Sequence, residues 1–241
     1  MHAALNALIL FITVIVGYFV ALSIKTNKPH ILQLLLTFSG AFLLAVAIFD
    51  LLPALYSGDG DHHDMGIWIM SGFLLQLLLE LLSKGVEHGH KHIDGLPKGK
   101  APFAVLLGLY LHAFLEAMPI GAYQNSQTAA SLTRAIALHS LPITIVFYSL
   151  TKSLNLSKIF GFLLILGFAV MGPLGIALAG NVAELRSAER ELTALTMGVF
   201  LHISTTILFE SAKGHAFNVM KFGSIVLAIL MAWFGHSHGH S

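Results

Sequence analysis

IWIMSGFLLQLLLELLSK, residues 67–84, decides the fold class. Its apolar residues run together without the strict alternation of a barrel strand, so a transmembrane β-barrel is a poor fit. It is also close to the roughly 20 apolar residues that an α-helix needs to cross the hydrocarbon core. Backbone groups in lipid must find their partners within the segment, so a run of this kind is a helix.

Seven more runs of the same character fill the chain. The spans are predicted at 4–24, 31–55, 67–84, 102–123, 132–151, 159–180, 192–212 and 217–234, an all-α integral membrane protein with eight transmembrane helices in a single domain covering 1–241. The first run begins almost at Met1, with neither a basic stretch before it nor a small-residue cleavage signal after it, and reads as a span. Composition agrees. Hydrophobic residues make up 56% of the 241, charged residues only 10%, and mean hydropathy is +0.81. An average soluble domain carries about 25% charged residues.

Charge placement orients the bundle. Lys25, Lys28, Lys84, Lys91, Lys98, Lys100, Lys152, Lys158, Lys213 and Lys221 fall on one side of the spans, against Arg134, Arg186 and Arg190 on the other. The basic side is predicted to be cytoplasmic, which puts both termini on the extracytoplasmic face of a cell (inner or plasma) membrane. A net charge of +1 without a basic cluster argues against nucleic acid as a partner. The absence of cysteine excludes disulfides and thiolate metal sites. No nucleophile triad order or phosphate loop is apparent, so the chain does not read as an enzyme.

Histidine is over-represented, with 14 in so apolar a chain. HGHKH (88–92), DGDHHD (59–64) and the tail HSHGH (236–240) read as polar loops able to collect metal weakly. Within the spans the ionisable residues are Asp50, Glu80, His112, Glu116, His139, His202 and Glu210. Such residues at membrane depth are costly and mark function. His112 and Glu116 stand at i, i+4 on one helix face, and His139 lies deep in the next span. Imidazole and carboxylate together suit zinc, iron, cobalt or manganese, and three protein ligands leave a position open for an ion that must also depart. The same set could instead relay protons, or serve only as packing. His202 divides between metal ligation and packing, and Glu80 could pair with Lys84 at i, i+4, which favours a structural role for it. Pro53, Pro119, Pro142 and Pro173 each remove a backbone donor inside a span. The small residues of GPLGIALAG (172–180) predict close packing of span six on a neighbour.

The chain resembles the ZIP family of divalent metal transporters. AFLLAVAIFDLLPAL (41–55) is similar to the family's second helix, HAFLEAMPIGA (112–122) to its fourth-helix signature, and HSLP (139–142) to its fifth. MGPLGIALAG (171–180) and GVFLHISTTILFE (198–210) resemble the sixth and seventh. The resemblance implies an inner bundle of helices two, four, five and seven, a metal pathway toward the cytoplasm, and a homodimer. Family metal positions fall on His112, Glu116 and His139. Where the family has Asn, Pro, a polar ligand and Glu, this chain has Ala113, Leu115, Ser140 and Ile143, so most of a second adjacent metal position is gone. The expected function is transport of a divalent cation, zinc first and iron, manganese, cobalt or cadmium as alternatives. Its expected metal residues are His112, Glu116 and His139, with Asp50 and His202 along the route. The alternatives are a metal-binding relative that does not transport, and a proton-coupled carrier.

Overall fold

The computed structural model describes residues 2–23, 29–57, 64–83, 102–123, 126–211 and 218–237. Ten α-helices and one π-helical turn account for nearly all of them, and no strand occurs among the described residues. The order is α1 (His2–Ser23), α2 (Pro29–Val46), a π turn (Ala47–Leu51), α3 (Leu52–Tyr56), α4 (Met65–Ser83), α5 (Phe103–Ala122), α6 (Ser126–Ser153), α7 (Lys158–Asn181), α8 (Ala183–Ser187), α9 (Glu189–Ser211) and α10 (Val219–Ser237). Among the described residues, eight helices are long and apolar enough to cross a membrane, with α2, the π turn and α3 acting as one. The protein is a multi-pass α-helical membrane protein.

The eight predicted spans match these helices, with shifts at the ends. α6 begins six residues before the predicted start at 132, because the polar stretch SQTAAS continues the helix beyond the hydrocarbon. Its 28 residues extend about 42 Å, against a core about 30 Å thick. The one-turn helix α8 occupies the connection before α9. HGHKH, residues 59–63, His238 and His240 lie outside the described residues.

Burial separates inner from outer helices. The spans formed by α2–α3, α5, α6 and α9 are 56, 56, 72 and 61% buried, whereas α1, α4, α7 and α10 reach 28, 22, 39 and 11%. Spans two, four, five and seven therefore form the inner group. The outer helices turn large apolar residues such as Leu8, Leu74, Leu163 and Leu230 outward, as a lipid-facing surface requires.

Glycines set two of the closest approaches. α7 lies against α5 so tightly that a Cβ on Gly175 would fall on the carbonyl of Phe114, and one on Gly121 on the carbonyl of Ile176. The small-residue stretch of span six thus packs closely, as its sequence predicts. α4 meets α9 in the same way, with Gly72 against the Leu195 carbonyl and Gly198 against that of Ile69.

The prolines act differently from one another. α5, α6 and α7 run continuously through Pro119, Pro142 and Pro173. Pro53 follows the π turn, in which the Leu52 N–H donates to the Ala47 carbonyl and Asp50 is displaced from regular α-register. Such π turns interrupt helices most often at functional positions.

Candidate functional site

The site grows from α5. The run FAVLLGLYLHAFLEAMPIGA is helical throughout, and its i, i+4 spacing sets His112 above Glu116 on the inward face. His112 Nε2 and Glu116 Oε2 are 3.4 Å apart, with both side chains buried. α6 brings His139 against them, its ring edge-on to that of His112 at a centroid distance of 5.9 Å and an interplanar angle of 80°. His112 and His139 are each 1% exposed and Glu116 2%, so all three are withdrawn from both water and lipid.

Neutral side chains from two further helices orient the imidazoles. His112 Nδ1 is 3.1 Å from Gln76 Oε1 on α4, a contact in which Nδ1–H donates. His139 Nδ1 lies 3.4 Å from Ser39 Oγ on α2, and that hydroxyl donates to the Leu36 carbonyl. A contact that fixes one ring nitrogen turns the other inward, which is how metal-ligating histidines are ordinarily held. Gln76 and Ser39 carry no sequence signal that separates them from ordinary polar packing. Only the three-dimensional contact reveals them.

His202 takes a different position. From α9 its Nε2 meets Glu80 Oε2 on α4 at 2.5 Å, and Phe73 packs against its ring at 4.8 Å. Its Nδ1 is buried without a hydrogen-bond partner among the described residues. Lys84, which the i, i+4 rule pairs with Glu80, lies outside the described residues, as does the side chain of Glu210. Glu80 and Gln76 are one turn apart on α4, so that helix touches both His202 and His112. Asp50 stands apart from the central group. Its Oδ1 accepts from His236 Nδ1 of α10 at 2.7 Å, which gives the first tail histidine a definite partner.

Among the described residues no three His, Asp or Glu side chains already surround a single point at ligand distance. His112 and Glu116 form the close pair and His139 its neighbour. The arrangement offers a buried carboxylate whose charge must be met by a proton or a cation, since an isolated ion at this depth is expensive.

The departures from the ZIP pattern have structural counterparts. The Ser140 hydroxyl donates to the Ile136 carbonyl at 2.8 Å. Ile143 is 1% exposed and packs with Val14, Ala113 and Phe147. Ile143, where the resemblance would expect a carboxylate, is thus surrounded by hydrocarbon. No protein-family model matches the chain.

Proposed function

We propose that this protein carries a divalent cation, zinc first, into the cytoplasm through a ZIP-like central site of His112, Glu116 and His139. The observation that carries the reading is the meeting of two imidazoles and a carboxylate at the centre of the four most buried spans, each imidazole oriented through Nδ1 by a neutral side chain. Small movements of α5 and α6 would close the three side chains on an ion. With Ser140 and Ile143 unable to supply a second ligand set, one ion occupies the centre at a time.

A second reading, a proton-coupled carrier, draws support from α4. Its adjacent turns touch His112 through Gln76 and His202 through Glu80, and ionisable groups linked across a bundle are the usual material of proton relays.

Sealed vesicles containing the protein, loaded with a metal-sensitive and a pH-sensitive dye, separate the two. Metal influx across a panel of zinc, iron, manganese, cobalt and cadmium, without an obligatory proton gradient, supports the metal carrier. Proton flux without metal entry selects the relay, and metal bound at equilibrium without flux selects a non-transporting relative.

A further inference from the structure

A cavity of about 380 Å³ lies between α1, α2, α6 and α10, and His112, Glu116 and His139 are not among its lining residues. Ile9, Phe42, Val46, Leu138, Met231 and Ala232 give it apolar walls. Its charged groups gather at one end. Along α2 and the π turn the lining rises a turn at a time from Phe42 through Val46 to Asp50, and along α6 it rises from Leu138 to Arg134. Arg134 is eight residues from the start of α6, just past the polar stretch of residues 126–131. α1 and α10 are two of the least buried helices, so the groove is bounded by elements that themselves face the bilayer.

The rim carries one cation and one anion. Arg134 is exposed and donates through Nη2 to Ser131 Oγ at 2.8 Å. No carboxylate lies within ion-pair distance of it among the described residues. Asp50 accepts from His236 Nδ1. A ligand matching this surface has an apolar chain as long as the wall, a phosphate for the guanidinium and an ammonium for the carboxylate.

We propose that the groove binds one phospholipid with a zwitterionic, primary-amine headgroup, its phosphate on Arg134 and its ammonium on Asp50. An anionic headgroup without an amine would bring a negative charge toward Asp50 with only the His236 imidazole beside it. A quaternary ammonium has no N–H to give the carboxylate. The assignment is independent of what the central site carries.

Native mass spectrometry tests it on the full chain, released from bilayers holding equal amounts of phosphatidylethanolamine, phosphatidylcholine and phosphatidylglycerol with identical acyl chains. The wild type should retain one phosphatidylethanolamine, about tenfold in preference to the other two. Arg134→Gln should lower retention of that lipid about tenfold, the loss expected for one charge-assisted contact. Asp50→Asn should remove the preference over phosphatidylcholine. Gly235→Leu leaves both charges in place. A Cβ there lies 3.7 Å from Arg134 Nη2, an ordinary contact, and the longer side chain extends into the rim. It should displace the lipid while the protein melts as wild type, and it carries the test where a charge variant fails to fold. Equal retention of all three lipids by the wild type would overturn the proposal, as would unchanged retention in Arg134→Gln or Gly235→Leu. So would a lipid-independent dimer that Gly235→Leu splits, which would show that a second copy covers the groove.

Discussion

Glu116 and Gln76 would bear on the proposed ion in different ways. Glu116→Gln keeps the shape of a side chain that is 2% exposed and removes the charge proposed to hold a dication. Calorimetric zinc affinity should drop sharply while thermal stability holds or rises, because a buried carboxylate is costly without its ion. Gln76→Met keeps the volume and removes the acceptor for His112 Nδ1, and metal affinity should fall about 10–100-fold, the usual effect of losing an outer partner. Affinity unchanged in both variants would dissociate this cluster from metal. Ile143→Glu places a carboxylate among Val14, Ala113 and Phe147, so the apo protein should melt lower, and added zinc should restore more stability than it gives wild type. The closeness of His112 and Glu116 was legible from their i, i+4 spacing, and that of His139 from its depth in the next span. The partners Gln76 and Ser39 were not, since a neutral polar residue in an apolar helix reads as packing until its neighbour is known. Glu80 also has a partner that no local rule could supply. Its described partner, His202, is 122 residues away, and only the packing of α4 on α9 makes them neighbours.

At the scale of elements, close helix packing is carried by glycine, and its consequences are specific. Gly175→Ala and Gly198→Ala each put a methyl group onto a backbone carbonyl that cannot move aside independently. Each should cost about 1–3 kcal/mol, read as a lower midpoint in detergent melting. Gly66→Ala and Gly223→Ala face open space in helices of the same protein and should match or exceed wild type, because alanine is the better helix former. Equal melting of all four variants would mean that these helices do not meet as described. The spans themselves were readable because lipid demands long uninterrupted apolar runs. The start of α6 was not, because residues 126–131 are polar and lie beyond the stretch that hydropathy marks. The π turn before Pro53 was equally hidden. A proline announces a lost donor, and which neighbouring turn adjusts depends on tertiary packing.

For the whole molecule, the division into inner and outer helices is shown by burial, and in the sequence it was implied by the family resemblance alone. Spans two, four, five and seven carry Ser39, His112, Glu116, His139 and His202, and the other four mostly face lipid. Orientation rests on the ten-to-three distribution of basic residues. Single cysteines at Ser57 and Gly89 should respectively react and resist an impermeant thiol reagent in intact cells, and the reverse pattern would overturn the predicted orientation and with it the proposed direction of transport. The central claim is that an ion passes through the His112, Glu116 and His139 group, and zinc entry into sealed vesicles measures it most directly. Wild-type protein should admit zinc at a saturable rate, and Glu116→Gln and His112→Ala, reconstituted at equal density, should reduce that rate to the level of empty vesicles. Zinc entry at the wild-type rate in both variants would contradict the account.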